Sequence, residues 1–219
     1  MSANNSLPSL LDVSAAEALV ATFRKPTPTV IAMFIDHLDD HLRRFIGMSP
    51  FCCMSTANAA GHQDISPRGD LPGSFKVLNE RTIAIPDRPG NNRADAIRNL
   101  VSNPQIGFIF IIPGIEETVR VSGTAQLSVD PALLKSMEVQ GRSPRLAIVA
   151  SVRVAHLHCG KAFRRSKLWQ LESQVPRAQI PTLGKIIGDQ IALTDDQISR
   201  LDELNDRASR EALWEPFRP

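Results

Sequence analysis

Residues Ile83–Leu100, IAIPDRPGNNRADAIRNL, decide how the chain is read. The stretch opens as a short apolar run, Ile83-Ala84-Ile85, and breaks at Pro86. A turn dense in Pro, Gly and Asn follows, and helical spacing resumes at Ala94, Ile97 and Val101. Asn92 is a good N-cap, because its side-chain carbonyl can accept a free backbone N–H, and Asp95 suits the positive end of a helix dipole. The pattern predicts strand, tight loop, helix N-terminus. Such an end presents unpaired N–H groups and partial positive charge, which favour an anion. Arg88 and Arg93 flank it, and both can fork onto phosphate oxygens. A helix end alone is worth about 1 kcal/mol to an anion. Each charge-assisted hydrogen bond adds about 1.5–3 kcal/mol, so the arginines would carry most of the binding. The same arginines also read as solvated loop residues paired with Asp87 and Asp95, and spacing leaves both readings open.

The 219 residues, 42% hydrophobic and 22% charged, fit a globular protein with room for a sizeable core. A formal net charge of +2 gives no argument for nucleic acid or an acidic membrane surface. No apolar stretch reaches the roughly 18 residues of a membrane span. The opening residues, MSANNSLPSLLD, lack the basic-then-apolar pattern of a signal peptide. Three cysteines, Cys52, Cys53 and Cys159, make no disulfide framework and point to a reducing, cytoplasmic setting. Tyrosine is absent, so no phenol is available as an acid.

Residues 1–50 read as a helical extension. Ser14-Ala-Ala-Glu17 has the form of a capping box, and a longer helix is expected over Thr29–Phe45, with Val30, Phe34, His37, His41 and Phe45 near one stripe. Residues 51–170 change to short strands: Phe51–Thr56, Phe75–Val77, Thr82–Ile85, Ile106–Ile112, Thr118–Leu127 and the run LAIVASVRVAHLH ending at His158. Ile106–Ile112 is nearly unbroken apolar sequence and predicts a strand covered on both faces. In Thr118–Leu127 apolar and polar residues alternate, as in a half-buried hairpin partner. These spacings imply a small antiparallel barrel with inserted helices. Residues 171–219 read as a helical segment packed on the barrel, with Thr194-Asp-Asp-Gln197 as a second capping box.

Ser66-Pro-Arg-Gly-Asp70 is expected in a loop, where Arg68, the Ser66 hydroxyl and Gly69 could line an anion or polyhydroxyl ligand, or Arg68 could simply pair with Asp70. His156, His158 and Cys159 lack the matching second pair of a zinc site, so no metal is expected. Neither Gly-x-Ser-x-Gly nor Gly-x-Gly-x-x-Gly occurs. Lys161–Trp169, KAFRRSKLW, gathers four cations around Ser166 and Trp169. It reads as a solvated basic helix or as an arm over an anionic, aromatic ligand.

Five stretches stand in one order: SPRGDLPG at Ser66–Gly73, IPDRPGNNR at Ile85–Arg93, NPQIGFIFIIPG at Asn103–Gly114, ETVRVSG at Glu117–Gly123 and HCGKAFRRSKLW at His158–Trp169. Together they resemble the pyridoxamine 5′-phosphate oxidase-like family of FMN-binding split barrels, in its subgroup of FMN-dependent enzymes with unassigned substrates. The resemblance implies a mainly β, six-stranded antiparallel split barrel with helical additions. It implies a homodimer with one FMN in each of two clefts between subunits. Asn91, Asn92 and Arg93 would hold the FMN phosphate, with Arg88 in support. Ser66, Arg68, Gly69 and Asp70 would approach the ribityl chain or the ring edge. Lys161, Arg165, Ser166 and Trp169 would close over the ring from the other subunit. The Arg-x-Val-Leu-Leu-Lys strand and C-terminal Arg-Leu-His-Asp-Arg motif of the vitamin B6 oxidases are missing, so the expectation is an FMN-dependent oxidoreductase acting on another small molecule. Rival readings are a flavin carrier, store or sensor, and a haem- or deazaflavin-binding relative. No side chain is nominated as acid or base.

Overall fold

The computed structural model describes residues 10–214. The chain divides into two compact units, with the boundary after Met33. The first holds helices α1 (Val13–Ala21) and α2 (Pro28–Ala32). Asp12, rather than Ser14, caps α1: its carboxylate accepts from the Ala15 N–H at 2.7 Å.

The second unit carries one seven-stranded sheet. Its strands are β1 (Phe51–Ala57), β2 (Gln63–Gly69), β3 (Lys76–Asn79), β4 (Thr82–Pro86), β5 (Gln105–Ile111), β6 (Thr118–Ser128) and β7 (Ala147–His158), in the order β2-β1-β5-β6-β7-β4-β3. Every pairing is antiparallel. The fold is the expected split barrel, with seven strands where six were expected. The additional one is β2, which includes the Ser66–Gly69 segment read as a loop. Pro67 lacks an N–H and is tolerated because β2 is an edge strand, paired only with β1.

The single long helix expected over Thr29–Phe45 does not form. Between α2 and α3 (Asp40–Met48), Ile35 exchanges backbone hydrogen bonds with Ala155 of β7 at 3.0 and 2.7 Å. Asp39 then starts α3 afresh by accepting from the Leu42 N–H at 2.8 Å. Leu42 and Ile46 of α3, and Ala96 and Leu100 of α4 (Asp95–Ser102), are buried in the barrel core. That core is built from Cys52, Met54, Ile83, Ile85, Phe108, Phe110, Val119, Val121 and Ile148, inward residues of alternating strands. Phe75, before β3, meets Phe110 of β5 edge-on at 5.7 Å, so the sheet curls round its own side chains. β5 alternates rather than being covered twice: Ile106, Phe108 and Phe110 point in and Ile109 is exposed.

Beyond β7 the chain continues through α6 (Lys161–Ser166) to α7 (Leu183–Ile191) and α8 (Asp195–Glu211); α5 (Pro131–Ser136) lies between β6 and β7. The Thr194–Gln197 capping box is formed. Gly184 and Gly188 let α8 approach α7, since a Cβ at either would collide with Asp202 or Ile198. No helix among the described residues is long and apolar enough to cross a membrane.

Two positions bear on stability, Gly123 and His156. At the bulge between Ser122 and Gly123 the β6–β7 register shifts, and a Cβ on Gly123 would overlap the Ser151 carbonyl oxygen. That neighbour is backbone in a paired strand and cannot swing away. Gly123→Ala is therefore expected to cost about 2 kcal/mol or more in urea unfolding, within the range for overpacking. A loss within experimental error would mean that the ladder gives way at the bulge.

His156 is buried, stacked on Phe34 at 4.1 Å between centroids, and its Nδ1 has no hydrogen-bond partner. Burial, then the nearby charges of Arg120 and His158, hold its pKa below the usual imidazole value of 6.5. The unfolded chain therefore takes up this proton first as pH falls, and stability is lost on acidification through that value. Melting temperatures between pH 7.5 and 5 should fall less steeply for His156→Phe than for the native chain. Parallel curves would exclude a contribution from His156.

Candidate functional site

The open edge strand β2 approaches the end of β4 without pairing with it, and side chains join the two. Arg68 of β2 bonds Asp87, just past β4, at 2.8 Å between Nη1 and Oδ1. Asp70, just past β2, accepts from Arg88 Nε at 2.7 Å. The second pair is the more deeply buried, with the Arg88 and Asp70 side chains 9% and 1% exposed. Arg88 also donates to the carbonyls of Met137 (2.6 Å) and Arg142 (3.4 Å), and its guanidinium lies 5.4 Å from the Trp214 ring centroid. One side chain thus ties together the end of β2, the end of α5, the loop before β7 and the described C-terminal residues.

These contacts frame a cleft of about 1110 Å³. Its walls are residues 64–68 of β2, the Asp87–Ile97 loop and start of α4, the Gly141–Leu146 loop, and Trp214. A smaller cavity of about 320 Å³ shares Ser66, Pro67, Arg68 and Arg88 with it and reaches Gly69, Asp70 and Phe75. At the shared wall the Ser66 hydroxyl and the Arg68 Nε are buried without a hydrogen-bond partner.

The loop into α4 differs from the N-cap expected at Asn92. Asn91 Oδ1 accepts from the Arg93 N–H at 3.1 Å, and both Asn92 (φ 59°) and Ala94 (φ 54°) are left-handed. Ala94 therefore stands at the N-cap, and no side chain caps the helix. Asp95, Ala96 and Ile97 of the first turn line the cleft. A left-handed alanine costs about 1–2 kcal/mol, so the backbone here is held by its surroundings. Arg93 is 73% exposed and its Nε bonds Asp95 at 2.7 Å, while its terminal nitrogens make no hydrogen bond among the described residues.

Ser66, Arg68, Arg88, Asn91, Asn92 and Arg93 are therefore gathered in one cleft, with Gly69 and Asp70 on the smaller cavity that adjoins it. Asp70 and Arg88 occupy each other and act as frame. Lys161, Arg165, Ser166 and Trp169 line neither cavity of their own chain. The indole N–H of Trp169 donates to the Ile115 carbonyl at 2.8 Å, beside an Arg164–Glu116 ion pair at the β5–β6 turn. Cys52 is excluded as a nucleophile, because burial pushes its thiol up to about 12.

Sequence reasoning missed the Gly141–Leu146 loop and Trp214. A signal was present: the tripeptide Ser-Pro-Arg occurs at 66–68 and again at 143–145, on two walls of the same cleft.

The sequence model of the family described as pyridoxamine 5′-phosphate oxidase matches residues 38–159, more than half of the chain and most of the barrel. The chain belongs to that family. Among solved structures, a HupZ variant from Group A Streptococcus is 16% identical over 55% of this chain and 99% of its own, with a TM-score of 0.46. An FMN-binding protein from Syntrophomonas wolfei is 12% identical over 52% and 82%, with a TM-score of 0.41. HutZ, the heme storage protein of Vibrio cholerae, is 14% identical over 56% and 94%, with a TM-score of 0.38. No curated protein matches the chain.

In this member of the pyridoxamine 5′-phosphate oxidase family, the frame of the cleft rests on the buried Asp70–Arg88 pair. Removing one partner of such a pair strands the other charge, at about 3–5 kcal/mol. Asp70→Ala should lower the unfolding free energy by about that amount in chemical denaturation, against under about 1 kcal/mol for an exposed pair. A loss of the smaller size would show that water, not Asp70, satisfies Arg88.

Proposed function

We propose that the cleft binds FMN and that the protein is an FMN-dependent oxidoreductase acting on a small molecule. The observation that carries this reading is the pair of unpartnered buried polar atoms, Ser66 Oγ and Arg68 Nε, on the wall common to both cavities. Buried polar atoms are nearly always satisfied, at a cost of about 1–3 kcal/mol when they are not. A hydroxyl and a guanidinium N–H in that position suit a ligand rich in acceptors, such as a flavin ring edge or a ribityl chain. The uncapped start of α4, with Asn91, Asn92 and Arg93, supplies N–H donors and positive charge suited to a phosphate. A volume of about 1110 Å³ accommodates a ligand of that size.

In this reading each residue has a binding task. Arg68, steadied by Asp87, and Ser66 orient the ring or its side chain. Gly69 leaves the strand end without a side chain where the ligand passes. Arg88 and Asp70 hold the walls apart at fixed spacing. FMN supplies the hydride or electron transfer when bound. We further propose a homodimer in which Lys161, Arg165, Ser166 and Trp169 of the partner subunit cover the ring. Lys161 and Arg165 are exposed, and neither forms a hydrogen bond or ion pair among the described residues, which leaves both available to a second chain.

Titration of the full chain with FMN, followed by flavin absorbance and fluorescence, tests the reading. One FMN per chain should bind, and Ser66→Ala should weaken it by about three- to tenfold, the loss of one hydrogen bond of about 0.5–1.5 kcal/mol. A chain that takes up no FMN, or Ser66→Ala binding with unchanged affinity, would refute the assignment of this wall.

A further inference from the structure

We propose that Arg145 and Trp214 form a second wall of the ligand site, Arg145 gripping a phosphate group and Trp214 covering a planar ring. The inference rests on the flavin reading of the cleft and adds two contacts to it.

The cations of the cleft differ in what they already hold. Arg68, Arg88 and Arg93 each bond an aspartate, Asp87, Asp70 and Asp95 respectively. Arg145 lines the same cleft, is exposed, and makes no hydrogen bond or ion pair among the described residues. It is therefore a lining charge that no carboxylate offsets.

Its position is fixed by backbone. Gln140 (φ 50°) and Gly141 (φ 75°) make a tight left-handed turn closed by paired hydrogen bonds between Val139 and Arg142 at 3.1 and 2.8 Å. The Arg142 carbonyl accepts from Arg88, and the Leu146 carbonyl accepts from the Asp87 N–H at 3.0 Å. Pro144, immediately before Arg145, is buried. The loop is thus bolted at both ends to the segment that follows β4, and Arg145 projects from a stiff support. A fork already held in place gives up less freedom on binding an anion.

The same cleft presents further donors, the uncapped first turn of α4 and the terminal nitrogens of Arg93, beside the Asp64 and Asp95 carboxylates that also line it. A phosphate monoester presents acceptor oxygens on several sides, and two donor walls fit it better than one. Trp214 is the one aromatic residue lining the cleft among the described residues, and the Arg88 guanidinium lies over its ring at 5.4 Å. An aromatic face in an otherwise polar lining offers a planar ring apolar cover.

Calorimetric titration of the full chain with FMN, riboflavin and inorganic phosphate separates the two roles, with thermal melts confirming that each variant folds. Arg145→Ala should weaken FMN and phosphate by about tenfold or more and leave riboflavin little changed, as loss of a charge-assisted bond requires. Arg145→Lys should fall between the two. Trp214→Ala should weaken FMN and riboflavin alike and leave phosphate unchanged, and Trp214→Phe should retain most of the affinity. Equal effects of Arg145→Ala on FMN and riboflavin, or native affinities in both alanine variants, would overturn this inference while leaving the flavin reading intact. Binding of phosphate without FMN, sensitive to Arg145→Ala, would overturn the flavin reading and keep the phosphate grip. Binding of neither would overturn both.

Discussion

The architecture depends on two ion pairs that cross the split of the barrel. β2 and β4 are separated in the sheet by β1, β5, β6 and β7, so no backbone ladder joins them. Arg68 and Asp70 come from one side, Asp87 and Arg88 from the other, and each side contributes one cation and one anion. This reciprocity leaves the seam close to neutral. Buried pairs contribute little net stability compared with well-packed apolar residues, yet breaking one is costly. Their consequence here is geometric: they fix how far the end of β2 stands from the end of β4, and so how wide the cleft is.

That width explains why polar atoms are left over. A sheet closed by hydrogen bonds would consume its edge donors, and a seam closed by aspartate and arginine uses only part of each guanidinium. Arg68 spends a terminal nitrogen on Asp87 and keeps Nε, buried and unpaired, beside the Ser66 hydroxyl. The same logic holds at α4. Asn91 turns the chain by accepting from Arg93, which moves the helix start to Asp95 and leaves its first turn uncapped at the cleft wall. Strain at Ala94 and unmet donors in one place are the pattern expected where a fold gives up local stability for binding.

Much of this was legible from local pattern. The alternation in Thr118–Leu127 placed Val119 and Val121 inward, and the residue order of the Thr194 capping box placed the start of α8. Where local rules failed, a long-range contact had won. Pro67 and Gly69 argue for a loop, but pairing with β1 makes them an edge strand. Helical spacing over Thr29–Phe45 yields to the Ile35–Ala155 bridge, a partner far along the chain. Asn92 has the right side chain for a cap and the wrong backbone angle. The Gly141–Leu146 loop and Trp214 carry no periodicity at all. They reach the cleft through contacts far apart in sequence, with Arg88 and with the Asp87 N–H, and a guanidinium with four separate partners cannot be read from spacing.

The chemical make-up of the lining bears on how labour is divided at the site. It contains Asp and Arg but no His, Cys, Lys or Tyr. Arginine does not give up a proton in proteins, and Asp87, Asp95 and, in the adjoining cavity, Asp70 are engaged in ion pairs, whereas Asp64 lines the cleft without one among the described residues. Cys52 lies in the core with its thiol pushed up to about 12, and His156 is stacked under Phe34. A wall in which arginines outnumber carboxylates is suited to gripping an anion and orienting a ring. On the flavin reading proposed above, a bound redox group would carry the reaction and the polypeptide would supply position, charge and exclusion of water.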